Sequence, residues 1–122
     1  MPKARPLILL LEDDAASAEA LELVLRDWGA DVVHGLDADH VFAAAGARTR
    51  EAAMIITDFE LGPNTNGVTI AQRLRSSAPK ARVLVLSGSP NGEAKRAATD
   101  AGYAYMQKPA PARSIIEWIE QN

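Results

Sequence analysis

Leu7-Ile8-Leu9-Leu10-Leu11-Glu12-Asp13-Asp14 is the stretch that decides the fold. Five apolar residues follow one another without alternation and stop at three acids. A strand with one wet face alternates apolar and polar residues, whereas a strand covered on both faces reads as a continuous apolar run. Met54-Ile55-Ile56 and Val83-Leu84-Val85-Leu86 read the same way. Together with two shorter runs, the expected strands cover 7–11, 31–34, 53–57, 81–87 and 103–107.

Helical patterns fill the gaps. Leu21, Val24, Leu25 and Trp28 recur at i, i+3, i+4 and i+7, with Asp14 placed to cap the start and Gly29 to close the end. Val41, Ala44 and Ala45 mark a second helix after Asp37. Val68, Ala71 and Leu74 mark a third, opened by Asn66 and stopped before Pro79. Ala94, Ala97, Ala98 and Ala101 form an alanine stripe ended by Gly102, and Ile115, Ile116 and Ile119 belong to a last helix after Pro111. Five strands alternating with five helices predict an α/β, (βα)5, doubly wound parallel sheet. Periodicity alone leaves two strand orders open.

Composition narrows the function classes. The chain of 122 residues has 48% hydrophobic and 24% charged residues, no cysteine and a net charge of −3. Thiolate chemistry and disulfides are excluded, and no basic cluster marks a nucleic-acid surface. No apolar run approaches the roughly 20 residues that span a bilayer. The acids ending the first run argue against a signal peptide, so a cytoplasmic location is expected.

In an open α/β sheet, ligands bind outside the carboxyl ends of the strands, where the winding reverses. The residues there are Glu12, Asp13 and Asp14 after the first strand, Asp58 after the third, Ser87 after the fourth and Lys108 after the fifth. If the first and third strands are neighbours, their ends lie roughly 4.8 Å apart, and Asp13 converges on Asp58 with Glu12 close by. Two carboxylates about 4 Å apart repel by about 4 kcal/mol at an effective dielectric near 20. Such a site takes up protons or binds a cation, and hard oxygen donors suit Mg²⁺, or Mn²⁺, better than zinc. Lys108 adds a positive charge and Ser87 a hydroxyl donor for a phosphoryl oxygen.

Four segments together resemble the receiver domain of two-component response regulators, over essentially the whole chain, 1–122. They are Leu9-Leu10-Leu11-Glu12-Asp13-Asp14, Ile55-Ile56-Thr57-Asp58-Phe59-Glu60-Leu61, Val83-Leu84-Val85-Leu86-Ser87-Gly88 and Tyr105-Met106-Gln107-Lys108-Pro109. The resemblance implies a flavodoxin-like fold with strand order 2-1-3-4-5, Asp58 as phosphoacceptor, and a cis bond before Pro109. It implies a metal held by Asp13 and Asp58 directly, Glu12 through water, and the backbone carbonyl of Glu60. Ser87 and Tyr105 match the coupled positions that report phosphorylation, and Lys108 the lysine that pairs with the acceptor. The implied partners are a histidine kinase or histidine phosphotransfer protein as donor and a separate output protein, with no enzymatic activity beyond the domain's own phosphoryl transfer and slow dephosphorylation. Met1 points to a stand-alone regulator.

Duller readings stand beside these. Asp14 serves as a cap, Asp58 alone reads as a turn residue, and Ser87 alone caps a turn. His34 and His40 read as structural or solvated, and Trp118 as either edge-of-core or an exposed contact. A nucleotide or flavin domain needs a glycine-rich loop where three acids stand. An aspartate phosphohydrolase needs a second acid two residues after its nucleophile, a spacing Asp13 does not repeat. The remaining alternatives are a receiver-like interaction module that is never phosphorylated and the receiver portion of a hybrid kinase. The loop 58–67 is one residue longer than the commonest family version. Ala110 stands where a phenylalanine is frequent, which predicts a flatter surface around the fourth and fifth helices. In the family the chain resembles, the positions of Glu60 and Ser89 border the attacking water.

Overall fold

A computed structural model describes residues 5–121; positions 1–4 and 122, at the two ends of the expected domain, lie outside the described residues. Five strands, β1 (Leu7–Leu11), β2 (Asp31–Gly35), β3 (Met54–Asp58), β4 (Arg82–Ser87) and β5 (Ala104–Gln107), alternate with α1 (Ala15–Trp28), α2 (Ala38–Ala45), α3 (Gly67–Ser77), α4 (Glu93–Ala101) and α5 (Ala112–Glu120). The sheet is parallel throughout, in the order β2-β1-β3-β4-β5. The expected (βα)5 flavodoxin-like architecture and its strand order are both borne out. Each strand lies within a residue of its expected ends.

The continuous apolar runs are explained by two cores, one on each face. Side chains alternate along a strand. Leu7, Leu9 and Leu11 of β1 therefore join α2, α3 and α4 in one cluster, while Ile8 and Leu10 join α1 and α5 in the other. All five are at most 2% exposed. Burying each contributes about 1.5–3 kcal/mol.

The helix boundaries follow local chemistry. Asp14 accepts from the Ser17 N–H at 2.8 Å, Asp37 from His40 at 2.8 Å and Asn66 from Thr69 at 3.0 Å. Gly29 and Gly102 end α1 and α4 at positive φ, 122° and 79°. Ala44, assigned to the apolar face of α2, is exposed; Ala38, Val41 and Ala45 form that face. A 3-10 stretch, Gly46–Glu51, completes the link to β3 without having left an apolar period in the sequence. Trp118 is core, 7% exposed, with the Arg82 guanidinium 4.5 Å above its ring. Among the described residues, no helix is long and apolar enough to cross a membrane.

Candidate functional site

Strand pairing creates the site. Leu11 lies beside Thr57 in the β1–β3 register, so Glu12 and Asp13 leave β1 next to Asp58 at the end of β3. These strands flank the reversal of winding, because α1 covers one face and α2 the other. Carboxylate oxygens of Glu12, Asp13 and Asp58 all lie within 4.8 Å of one another. Lys108, just beyond β5, reaches across with Nζ 3.2 Å from Asp58 Oδ2 and 3.5 Å from Glu12 Oε2.

Burial sets the electrostatics. Glu12 is 6% and Asp58 7% exposed, while Asp13 faces solvent. Burial, followed by the Asp58 charge, pushes the Glu12 carboxyl up from 4.5 to about 7, and Lys108 offsets part of that rise. For Lys108, burial acts downward, but the charges of Asp58 and Glu12 outweigh it and the ammonium is held above its usual range. One lysine thus faces three acids, and the balance is negative. Asp58 Oδ1 is buried with no hydrogen-bond partner; the one other such side-chain atom among the described residues is Arg75 Nε, far along α3. A buried orphan acceptor amid hard oxygen donors suits a divalent cation, so the donor set fits one.

Neighbouring backbone is held tightly around Asp58. The Phe59 N–H donates to Leu86 O at 2.8 Å, and the Thr57 hydroxyl to Asp58 O at 2.9 Å. The Ser87 hydroxyl, fully buried, donates to Glu60 Oε2 at 2.7 Å and accepts from the Ser89 N–H at 3.1 Å. Tyr105 is half-buried beside Val85 and packs on the α2–α3–α4 side. The Lys108–Pro109 bond is cis, as the resemblance implied. Asp14 turns away from the cluster to cap α1, which holds its carboxyl below the usual range through the Ser17 bond.

Two participants escaped the sequence reading. Gly67 opens α3 so close to the acceptor strand that an added Cβ would stand 2.0 Å from Asp58 O and 2.6 Å from Thr57 Oγ1. No local signal distinguishes it from an ordinary turn glycine. His34 donates from Nε2 to Glu12 O at 2.6 Å, and so steadies the acidic turn from β2. A lone histidine in sequence gives no hint of that.

Ala110 packs with the α1–α5 core, on the opposite face of the sheet from α4. Its small side chain helps leave a concavity of about 500 Å³ between Leu21 and Val24 of α1 and Ile115 of α5, opening beside Asp58 and Lys108.

Known proteins share this fold. Residues 8–120 match the model of the response regulator receiver domain. The chain is 31% identical over 120 residues to the cell cycle transcriptional regulator CtrA of Caulobacter vibrioides, covering 92% of this chain and 48% of that protein. It is 33% identical over 111 residues to the gliding motility regulatory protein of Myxococcus xanthus, covering 88% of this chain and 14% of that one. It therefore spans half or less of the length of these relatives. Among solved structures, a response regulator from Burkholderia pseudomallei with a phosphorylated aspartic acid, calcium ion and citrate superposes with a TM-score of 0.80 at 29% identity, covering 96% of this chain and 68% of that one. A CheY-like receiver domain from Methanospirillum hungatei superposes at 0.79 with 22% identity, covering 96% and 92%, and supports the fold. The chain belongs to the response regulator receiver domain family.

Proposed function

We propose that this receiver accepts a phosphoryl group on Asp58 from a phosphohistidine donor and relays the event through Ser87, Tyr105 and Lys108. The observation that carries this reading is the orphan Asp58 Oδ1, buried and unpaired while Oδ2 is held by Lys108 at 3.2 Å. The Asp58 carboxylate, fixed by Lys108, is the nucleophile. It forms the new P–O bond as the P–N bond to the donor imidazole breaks, and the imidazole nitrogen leaves with the bonding pair and is reprotonated.

Lys108 orients the acceptor and then pairs with a phosphoryl oxygen. Glu12, Asp13 and the Glu60 carbonyl, together with Asp58, would hold Mg²⁺ or Mn²⁺, which supplies positive charge against the oxygens of the transferring group. A phosphoryl group adds about −1.5 to −2 charge and three strong acceptors at pH 7. Each charge-assisted bond it gains is worth roughly 1.5–3 kcal/mol, sufficient to move a two-state equilibrium about tenfold or more. Ser87 ends β4, and its carbonyl accepts from the Lys108 N–H at 2.8 Å, so a shift at Ser87 reaches β5 and the α4–β5–α5 surface directly. A histidine kinase or phosphotransfer protein in the cytoplasm is the proposed donor, and the proposed reader of that surface is a separate output protein. The domain turns over nothing but its own aspartyl phosphate.

Incubation with acetyl phosphate and Mg²⁺ should produce a phosphoryl adduct by intact mass in the wild type. Asp58→Asn should show none. An adduct of equal yield in the mutant places the acceptor elsewhere and removes this reading.

A further inference from the structure

The Ser87 hydroxyl carries one proton, and the structure shows where it is committed. It donates to Glu60 Oε2 at 2.7 Å, a length typical of a hydroxyl on a carboxylate, while its oxygen accepts from the Ser89 N–H at 3.1 Å. Ser87 is fully buried, whereas Glu60 is exposed. The backbone between Asp58 and Glu60 is pinned to β4 through the bond from Phe59 N–H to Leu86 O, so the acid is presented from a fixed point. Asp58 Oδ1, meanwhile, receives no donor.

We propose that the Glu60 carboxylate is an internal competitor for the Ser87 hydroxyl, holding the switch in its unphosphorylated arrangement until an anion on Asp58 accepts that hydrogen bond instead. Glu60 is a positioning residue in this scheme, acting through Ser87. The exchange moves the Ser87 O–H from the Glu60 carboxylate to a phosphoryl oxygen, with no covalent bond made or broken. The released carboxylate already faces water, so solvation compensates its loss. The inference rests on the reading of Asp58 as phosphoacceptor. It adds that the threshold of the switch is set by a side chain two residues further along the chain.

The test is a titration with beryllofluoride and Mg²⁺, followed through the backbone amide signals of Ser87 and Ser89. The proteins are the wild type, Glu60→Ala, Ser87→Ala and the double variant. Glu60→Ala is expected to tighten apparent beryllofluoride binding about tenfold when Ser87 is present, the order of one charge-assisted hydrogen bond. In the Ser87→Ala background the same change should have little effect. Equal tightening in both backgrounds reduces Glu60 to simple charge repulsion and overturns the proposal, as does no change in either. Should Ser87→Ala fail to show a cooperative urea transition, Ser87→Cys replaces it, because a thiol is a weak donor. A wild type that does not bind beryllofluoride sinks the phosphoacceptor reading and this inference with it. A wild type that binds while Glu60→Ala leaves affinity unchanged sinks the competition alone.

Discussion

Where the strands begin, Arg5, Arg48 and Arg82 find oxygen partners. Arg82 donates to the carbonyls of Trp118 and Ile119, both at 2.9 Å, and stacks on the Trp118 ring, while Asp31 lies 3.2 Å from Arg48 and 3.7 Å from Arg5. Where the strands end, three acids converge, one lysine pairs with two of them, and one buried oxygen has no partner. Both rims belong to the same sheet. The first closes its hydrogen bonds around Arg82, whereas the second leaves a buried carboxylate oxygen without a donor.

The contrast can be broken most sharply at Asp58. Asp58→Asn should eliminate acceptance of a phosphoryl group altogether, by intact mass, while leaving urea stability equal to or above that of the wild type in the presence of a chelator. Loss of stability in that variant would mean that the ending rim is as structural as the beginning one.

Gly67→Ala comes next. A methyl group meeting Asp58 O at 2.0 Å forces the start of α3 or the acceptor strand to move. Overpacking of this kind costs about 1–3 kcal/mol, and acceptance should fall with it because the displaced atom belongs to the acceptor itself. Urea unfolding and phosphorylation rate measured on one preparation check both halves.

Arg82→Met probes the opposite rim. Two carbonyl hydrogen bonds and a cation–π contact are removed, an expected loss of roughly 2–3 kcal/mol by urea unfolding. Acetyl phosphate labelling should be unchanged under conditions where the variant remains folded. A parallel fall in labelling would show that the rims are coupled.

The smallest effect is a slope with pH. Glu12 is held at about 7 in the folded chain against 4.5 otherwise, so the folded state binds more protons between those values. Stability therefore falls as pH rises through that window, and the penalty is complete above about 7. Metal-free wild type compared with Glu12→Gln should show this difference in urea midpoint, and added Mg²⁺ should shrink it. A difference that stays constant across the window contradicts the proton uptake assigned to Glu12.

Much of this rim was legible before any coordinates. Unbroken apolar runs at 7–11 and 83–86 require cover on both faces, and the carboxyl ends of such strands are where ligands sit. That logic located Glu12, Asp13, Asp58, Ser87 and Lys108 from the chain alone. Capping by Asp14 was equally legible, since it depends on a bond only three residues away, as was closure by Gly29. Trp118 could not be placed, because its partner Arg82 is distant in sequence.

Sequence alone determined the strand–helix alternation and which polar groups stand at the carboxyl ends of the strands, because both depend on short-range pattern and on side-chain chemistry. Tertiary structure decided what each polar atom touches: Ser87 on Glu60, His34 on the Glu12 carbonyl, Gly67 against the acceptor backbone, and Asp58 Oδ1 on nothing. Those contacts join residues that different strands and loops bring to one rim, and they are settled by packing over a few ångströms, a scale at which spacing along the chain carries no information.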